Sequence, residues 1–208
     1  LFETWVDPQE PAFVPRRMFF QGAEFLVTPT PQEVAGGFLF PGQRLMPFLS
    51  REVCPPDAWL VLPDGSACRV RRVSMCLREA MDALAFFGPV RAAEYLATED
   101  AGNKRRLSGP EKSKLDVTAF DLADFYARCG FQPGDSLRLR VLDWLQGVFS
   151  VAHAPAGKTA SLPAVRRWTQ ALRAAYDDMQ DELGVEGDCY EQIATMLLLG
   201  AEEGAVRL

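Results

Sequence analysis

Pro133-Gly134-Asp135-Ser136-Leu137-Arg138-Leu139-Arg140-Val141-Leu142-Asp143-Trp144-Leu145-Gln146-Gly147-Val148-Phe149-Ser150-Val151 is the stretch on which the reading of the fold turns. Leu137, Leu139 and Val141 alternate strictly with Arg138 and Arg140. That period of two marks a strand with one apolar and one charged face. Pro133-Gly134 turns the chain into this strand, and Gln146-Gly147 reverses it into Val148–Val151. The result is a hairpin over 136–151 with Leu137, Leu139 and Val141 toward a core.

Upstream of the hairpin, the spacing predicts a helix. Thr118 reads as its N-cap, with Asp121 three positions later and Val117 and Leu122 in the flanking apolar positions. Leu122, Phe125, Tyr126 and Cys129 form its apolar stripe. Gly130 followed by Phe131 fits a left-handed C-cap. Residues 100–114 are polar, aperiodic and rich in turn formers, and read as an exposed loop or linker. Before them, Ser74 is the expected cap of a helix carrying Leu77, Ala80, Met81 and Leu84, and a short helix is expected over Val90–Ala97.

Ten of the fifteen prolines fall within residues 1–63. Proline removes a backbone donor and breaks helices, so this third is read as strands, turns and extended connections. Apolar clusters at Phe2–Val6, Phe13–Phe20, Phe25–Val27 and Phe38–Phe40 are the expected strands. Trp59–Leu62, Pro63-Asp64-Gly65 and Ser66–Val73 read as a second hairpin, Asp-Gly supplying the positive φ of a tight turn. After the 136–151 hairpin, a helix with apolar residues at 165, 168, 172, 176, 179 and 183 is expected. A last helix turns Ile193, Met196 and Leu197 inward.

Strands, helices and hairpins in this order give an α+β fold. Two hairpin-containing sheet regions, separate or joined into one sheet or small barrel, are flanked by about five helices, with a helical C-terminus. Residues 1–99 form a β-rich half, 100–114 the connection, and 115–208 the second half, the two halves being either one domain or two.

Several chemistries are excluded. The five cysteines, Cys54, Cys68, Cys76, Cys129 and Cys189, contain no C-x-x-C pair and are odd in number. Reduced thiols in the cytoplasm are therefore expected, rather than a zinc ribbon or disulfide framework. His153 is the single histidine, which rules out sites needing two imidazoles. The string from Ala152 to Thr159 ends like a phosphate-binding Gly-Lys-Thr loop, but Ala152 occupies the position of its first glycine, so a plain surface loop is expected. Asp135 and Asp143 lie near opposite ends of one strand, roughly 25 Å apart, too far to cooperate. No metal or cofactor is expected. No apolar run approaches the length of a membrane span, and Leu1–Trp5 carries no basic segment leading into an apolar one.

The net charge of −6 is uneven. Residues 176–208 hold nine acidic side chains against Arg207 alone, leaving the rest slightly basic. Arg69 and Arg71 share one strand face and Arg72 lies opposite. Arg138 and Arg140 share another, and Arg166 and Arg167 lie near a helix start. Should the two hairpins be sheet neighbours, Arg69, Arg71, Arg138 and Arg140 would line one solvent face, suited to an acidic protein or a phosphate backbone. The leading expectation is a non-catalytic module that binds another protein. Nucleic-acid binding through the basic sheet face is the second reading, and a hydrolase with a dispersed site the third.

Overall fold

The computed structural model describes residues 4–5, 13–14, 16–46, 48–50, 52–53, 57–85, 88–110 and 113–157, together with positions 170, 173–174, 176–177, 192–193 and 196–197. In chain order the elements are β1 (Thr4–Trp5), β2 (Phe13–Val14), α1 (Arg16–Phe20), β3 (Glu24–Val27), α2 (Pro31–Gly36), β4 (Phe38–Leu39), a 3-10 turn (Gly42–Leu45), β5 (Trp59–Val61), β6 (Val70–Cys76), α3 (Leu77–Asp82), α4 (Pro89–Glu99), α5 (Asn103–Arg106), β7 (Lys114–Asp121), α6 (Ala123–Cys129), β8 (Ser136–Asp143) and β9 (Val148–Ala154). The fold is α+β. Its larger sheets are separate, one ordered β3-β8-β9-β5 and the other β4-β7-β6, beside a two-stranded β1-β2 ladder. Among the described residues neither a joined sheet nor a closed barrel forms, and no helix is long and apolar enough to cross a membrane.

The hairpin at 136–151 forms as its alternation requires. β8 and β9 pair antiparallel, and a bulge between Val141 and Asp143 takes up one extra residue before the turn. Leu137, Leu139 and Val141 are buried and Arg138 and Arg140 exposed. They enter a first core with Phe20, Leu60, Phe125 and Phe149. A second core gathers Phe40, Met75, Leu84, Leu96, Leu115 and Val117. Each core draws on residues from both sides of 100–114.

The two cores meet at β4 and β7. Successive side chains of a strand point to opposite faces, so Phe38 and Phe40 enter the second core while Leu39, between them, enters the first. β7 does the same: Leu115, Val117 and Ala119 go one way, Phe120 and, just beyond the strand, Leu122 the other. β4 covers only the Phe120–Asp121 end of β7. Side chains complete the edge beyond it. Asn103 is fully buried; its amide donates to the carbonyls of Leu96 (2.9 Å) and Asp116 (2.8 Å) and accepts from the Asp116 amide at 3.0 Å. The Glu99 carboxylate accepts from the Thr118 amide at 2.9 Å. A buried backbone group left unpaired is costly, so these two residues stand in for the missing length of strand.

Several local expectations are corrected. The Asp64-Gly65 turn closes, with Leu62 N donating to Ser66 O and Cys68 N to Leu60 O, but the 59–73 hairpin stops there. β5 runs parallel to β9, and β6 leaves for β7 in the other sheet. The reason is burial: Leu60 belongs to the first core, whereas Val73 and Met75 face the second. Thr118 is mid-strand rather than a helix cap, and α6 starts after Leu122 with no side-chain cap. Its far end is as expected, with Gly130 left-handed at φ 64° and Phe131 N donating to Tyr126 O while their rings stack at 4.4 Å. Ser74 lies within β6, and Cys76 with Glu79 caps α3 instead. The proline-rich third holds α1 and α2; Thr30 and Glu33 form a reciprocal capping box around Pro31. Tyr176, expected on a buried stripe, is exposed, whereas Leu197 is buried and Ile193 packs on the first core. Trp168 and Leu172, the expected centre of that stripe, lie outside the described residues.

Replacing Asn103 by Ala removes the partner of the buried Leu96 carbonyl and of the part-buried Asp116 carbonyl and amide, and should cost roughly 2–4 kcal/mol in denaturant melts. The exposed neighbour, Lys104→Ala, should stay within about 0.5 kcal/mol. Equal, small losses in both would show that the edge of β7 is satisfied by water.

Candidate functional site

β8 is an interior strand of the four-stranded sheet, so its outward residues lie in the middle of that sheet's open face. Arg138 and Arg140 project there. Register places Leu26 opposite Arg138 and Glu24 opposite Arg140 on β3. On the other side, Ala152 and Ser150 of β9 face the same arginines, small side chains that leave the guanidinium groups uncovered. Trp59 pairs with Val148 on the outer strand. Leu26, Trp59 and Leu142 expose 49%, 62% and 42% of their surfaces. Among the described residues neither Arg138 nor Arg140 makes a salt bridge, Glu24 standing opposite Arg140 without closing one.

The structure does not bring Arg69 and Arg71 to this face, because β6 belongs to the other sheet. Arg71 donates to the Gly36 carbonyl, approaches Asp121 at 3.8 Å and lies over the Phe38 ring at 5.8 Å. Arg72 is bound to Glu99 at 2.8 Å and Asp100 at 3.1 Å. Arg69 is exposed beside β6, its carbonyl continuing the ladder to the Asp121 amide. The four-arginine stripe therefore does not form: Arg138 and Arg140 lie on one sheet, while on the other Arg71 and Arg72 are paired with carboxylates and Arg69 stands beside them. Arg166 and Arg167 lie outside the described residues.

His153 acquires a partner that local sequence did not offer. Across the β8–β9 ladder its Nε2 lies 2.8 Å from Asp135 Oδ2, with the Phe131 ring 5.1 Å away. Asp135 also accepts from the Ala156 amide at 2.7 Å and the Gln132 amide at 2.9 Å. These amides, Ala156 first and Gln132 next, followed by His153, hold its carboxyl down at about 2. Among the described residues no hydroxyl or thiol is hydrogen-bonded to His153, which a nucleophile–base pair would need. Burial pushes the nearby Cys129 thiol up, disfavouring the reactive thiolate. The Asp135–His153 pair thus fastens the ends of β8 and β9 to their flanking loops. No group of three or more metal-ligating side chains occurs among the described residues.

Two features escaped sequence reasoning. Trp59 joins the flank of Arg138 and Arg140 through the parallel β5–β9 pairing, for which the chain carries no local signal. Buried Glu33 and half-buried Arg44 form an ion pair at α2, and its one legible cue is the Thr30-Pro31-Gln32-Glu33 capping pattern. In comparisons with known proteins, no family model matches the chain, and neither does any curated protein or solved structure.

A carboxyl depressed in the folded state stabilises the protein above its unfolded value near 3.8, and that contribution is lost as pH falls through about 2. Asp135→Asn should therefore flatten the loss of stability on acidification. Urea midpoints at neutral pH and near pH 2.5 should move less in the variant than in the wild type. An identical acid response would remove the Asp135 carboxylate from this role.

Proposed function

We propose that the chain is a non-catalytic protein-interaction module and that the open face of its four-stranded sheet is the contact surface. The observation that carries this reading is the pair Arg138 and Arg140, uncommitted to any carboxylate among the described residues and flanked by exposed Leu26, Leu142 and Trp59. Arginine and tryptophan are the side chains that most often concentrate binding energy at interfaces, and an apolar surround excludes water from them. The complementary partner is a protein segment that sets acidic side chains among apolar ones. The odd cysteine count and the lack of a C-x-x-C pair support a reducing, cytoplasmic setting for that encounter.

Nucleic acid is the weaker occupant on the same grounds. A polyanion needs several free cations along its path, but Arg71 and Arg72 are spent on carboxylates and Glu24 faces Arg140 on the same surface. The hydrolase reading has less support still, since the Asp135–His153 pair is bound to no nucleophile among the described residues.

Selection from a random peptide library should enrich acidic–apolar segments. In fluorescence anisotropy, Arg138→Glu with Arg140→Glu, and separately Trp59→Ser, should weaken the selected peptides at least about tenfold, with the thermal melt unchanged. Retention of duplex DNA or RNA at about 50 mM salt by the wild type, lost in the double variant, would transfer the face to nucleic acid. Peptide affinities untouched by either variant would place the contact surface elsewhere.

A further inference from the structure

Where the two cores meet, a cleft of about 600 Å³ opens between the α2 and 3-10 segment on one side and β6 with α3 on the other. The Gln43 amide donates to the Ala83 carbonyl at 2.9 Å and ties the two sides together. Gly42 sits at φ +50°, and a Cβ there would lie 2.5 Å from the Ala83 oxygen, so close approach fixes the junction. The cleft is preformed. Its volume falls within the range of small-molecule sites, which are apolar with a few placed polar groups.

Phe38, Phe40 and Met75 supply the apolar wall. The polar group is Arg44, whose side chain is 27% exposed. Glu33, 3% exposed, holds it through one nitrogen only, Nη1 lying 2.8 and 2.9 Å from the two carboxylate oxygens. The remaining carboxylate acceptors are taken by the Thr30 and Phe40 amides. Nε and Nη2 of Arg44 therefore keep their parallel donors without a partner among the described residues. That fork is the arrangement that takes a carboxylate bidentately. Glu79 and Asp82 line the same cleft and are exposed to solvent; Glu79 accepts from the Cys76 amide at 3.4 Å and Asp82 meets Arg78 at 3.9 Å, and two carboxylates against that one exposed guanidinium leave the outer part favouring a cation.

An apolar wall, a half-buried fork for a carboxylate and an acidic mouth for an ammonium group suit one ligand class. We propose that this cleft binds a short apolar peptide of roughly two or three residues, its free C-terminal carboxylate on Arg44 and its N-terminal ammonium toward Glu79 and Asp82. The site is distinct from the open sheet face and independent of what that face binds.

The test follows the Met75 methyl signal by NMR during titration with the dipeptide Leu-Phe, its C-terminal amide and its N-acetyl form. Leu-Phe should give a saturable shift at millimolar concentration, and each blocked form should bind at least about fivefold more weakly. Arg44→Gln should abolish the difference between acid and amide. Because that variant leaves Glu33 buried without its partner, Asp82→Asn provides a second arm on an exposed side chain: it should weaken free Leu-Phe and leave the N-acetyl form unchanged. No saturable shift in the wild type up to about 10 mM, or equal binding of the free and blocked peptides, would overturn the proposal.

Discussion

A strand buried on both faces must divide its side chains between two interiors, and the Phe38–Phe40 segment is the point where this molecule does so. Leu39 is sealed in the first core, and Phe38 and Phe40 in the second. Fully burying a side chain of this size contributes about 1.5–3 kcal/mol, so three in succession hold the two sheets against each other through backbone that cannot slip. A register change of one residue would exchange every contact. The surroundings prevent it: Leu122 N donates to Gly37 O, Phe40 N donates to Glu33, and Gln43 N donates to Ala83 O. Gly37 is left-handed at φ 67°, and a Cβ there would lie 2.8 Å from that of Ala123, which lets the chain enter the strand hard against α6.

The buried carboxylate of Glu33 follows from the same constraint. A short strand between two cores leaves backbone donors at its margins that no neighbouring strand reaches. Glu33 satisfies one of them, at Phe40, together with the α2 cap donor at Thr30, and Arg44 satisfies Glu33 in turn. Asn103 and Glu99 do the equivalent work at the far end of β7. Polar side chains are buried here because they complete sheet edges, and burial of a charge is tolerated where pairing is complete.

This explains which parts of the fold the sequence discloses. Leu137, Leu139 and Val141 alternate against one core, so their strand and its hairpin are legible from spacing. So is the end of α6, where Gly130 and Phe131 act within a single turn. The 59–73 hairpin misleads because its turn is sound while its two arms answer to different cores, a fact held by Phe149 and Val117, far away in sequence. Thr118 misleads similarly: Thr-x-x-Asp is a fair capping pattern, but burial of Leu115 and Val117 outweighs it and extends the strand to Asp121. Tertiary burial overrides local preference wherever the two compete.

The arginines show the same division between local and distant information. Arg71, Arg72, Arg138 and Arg140 all sit in strands, yet their chemical availability differs with the neighbouring strand and helix. β6 lies alongside β7 and near the end of α4, where Asp121, Glu99 and Asp100 absorb its cations. β8 lies between β3 and β9, whose facing residues at the two arginine positions are Leu26, Glu24, Ala152 and Ser150. One carboxylate among four neighbours leaves positive charge uncompensated over a partly apolar surface. Whether an arginine is paired depends on sheet order more than on the strand that carries it.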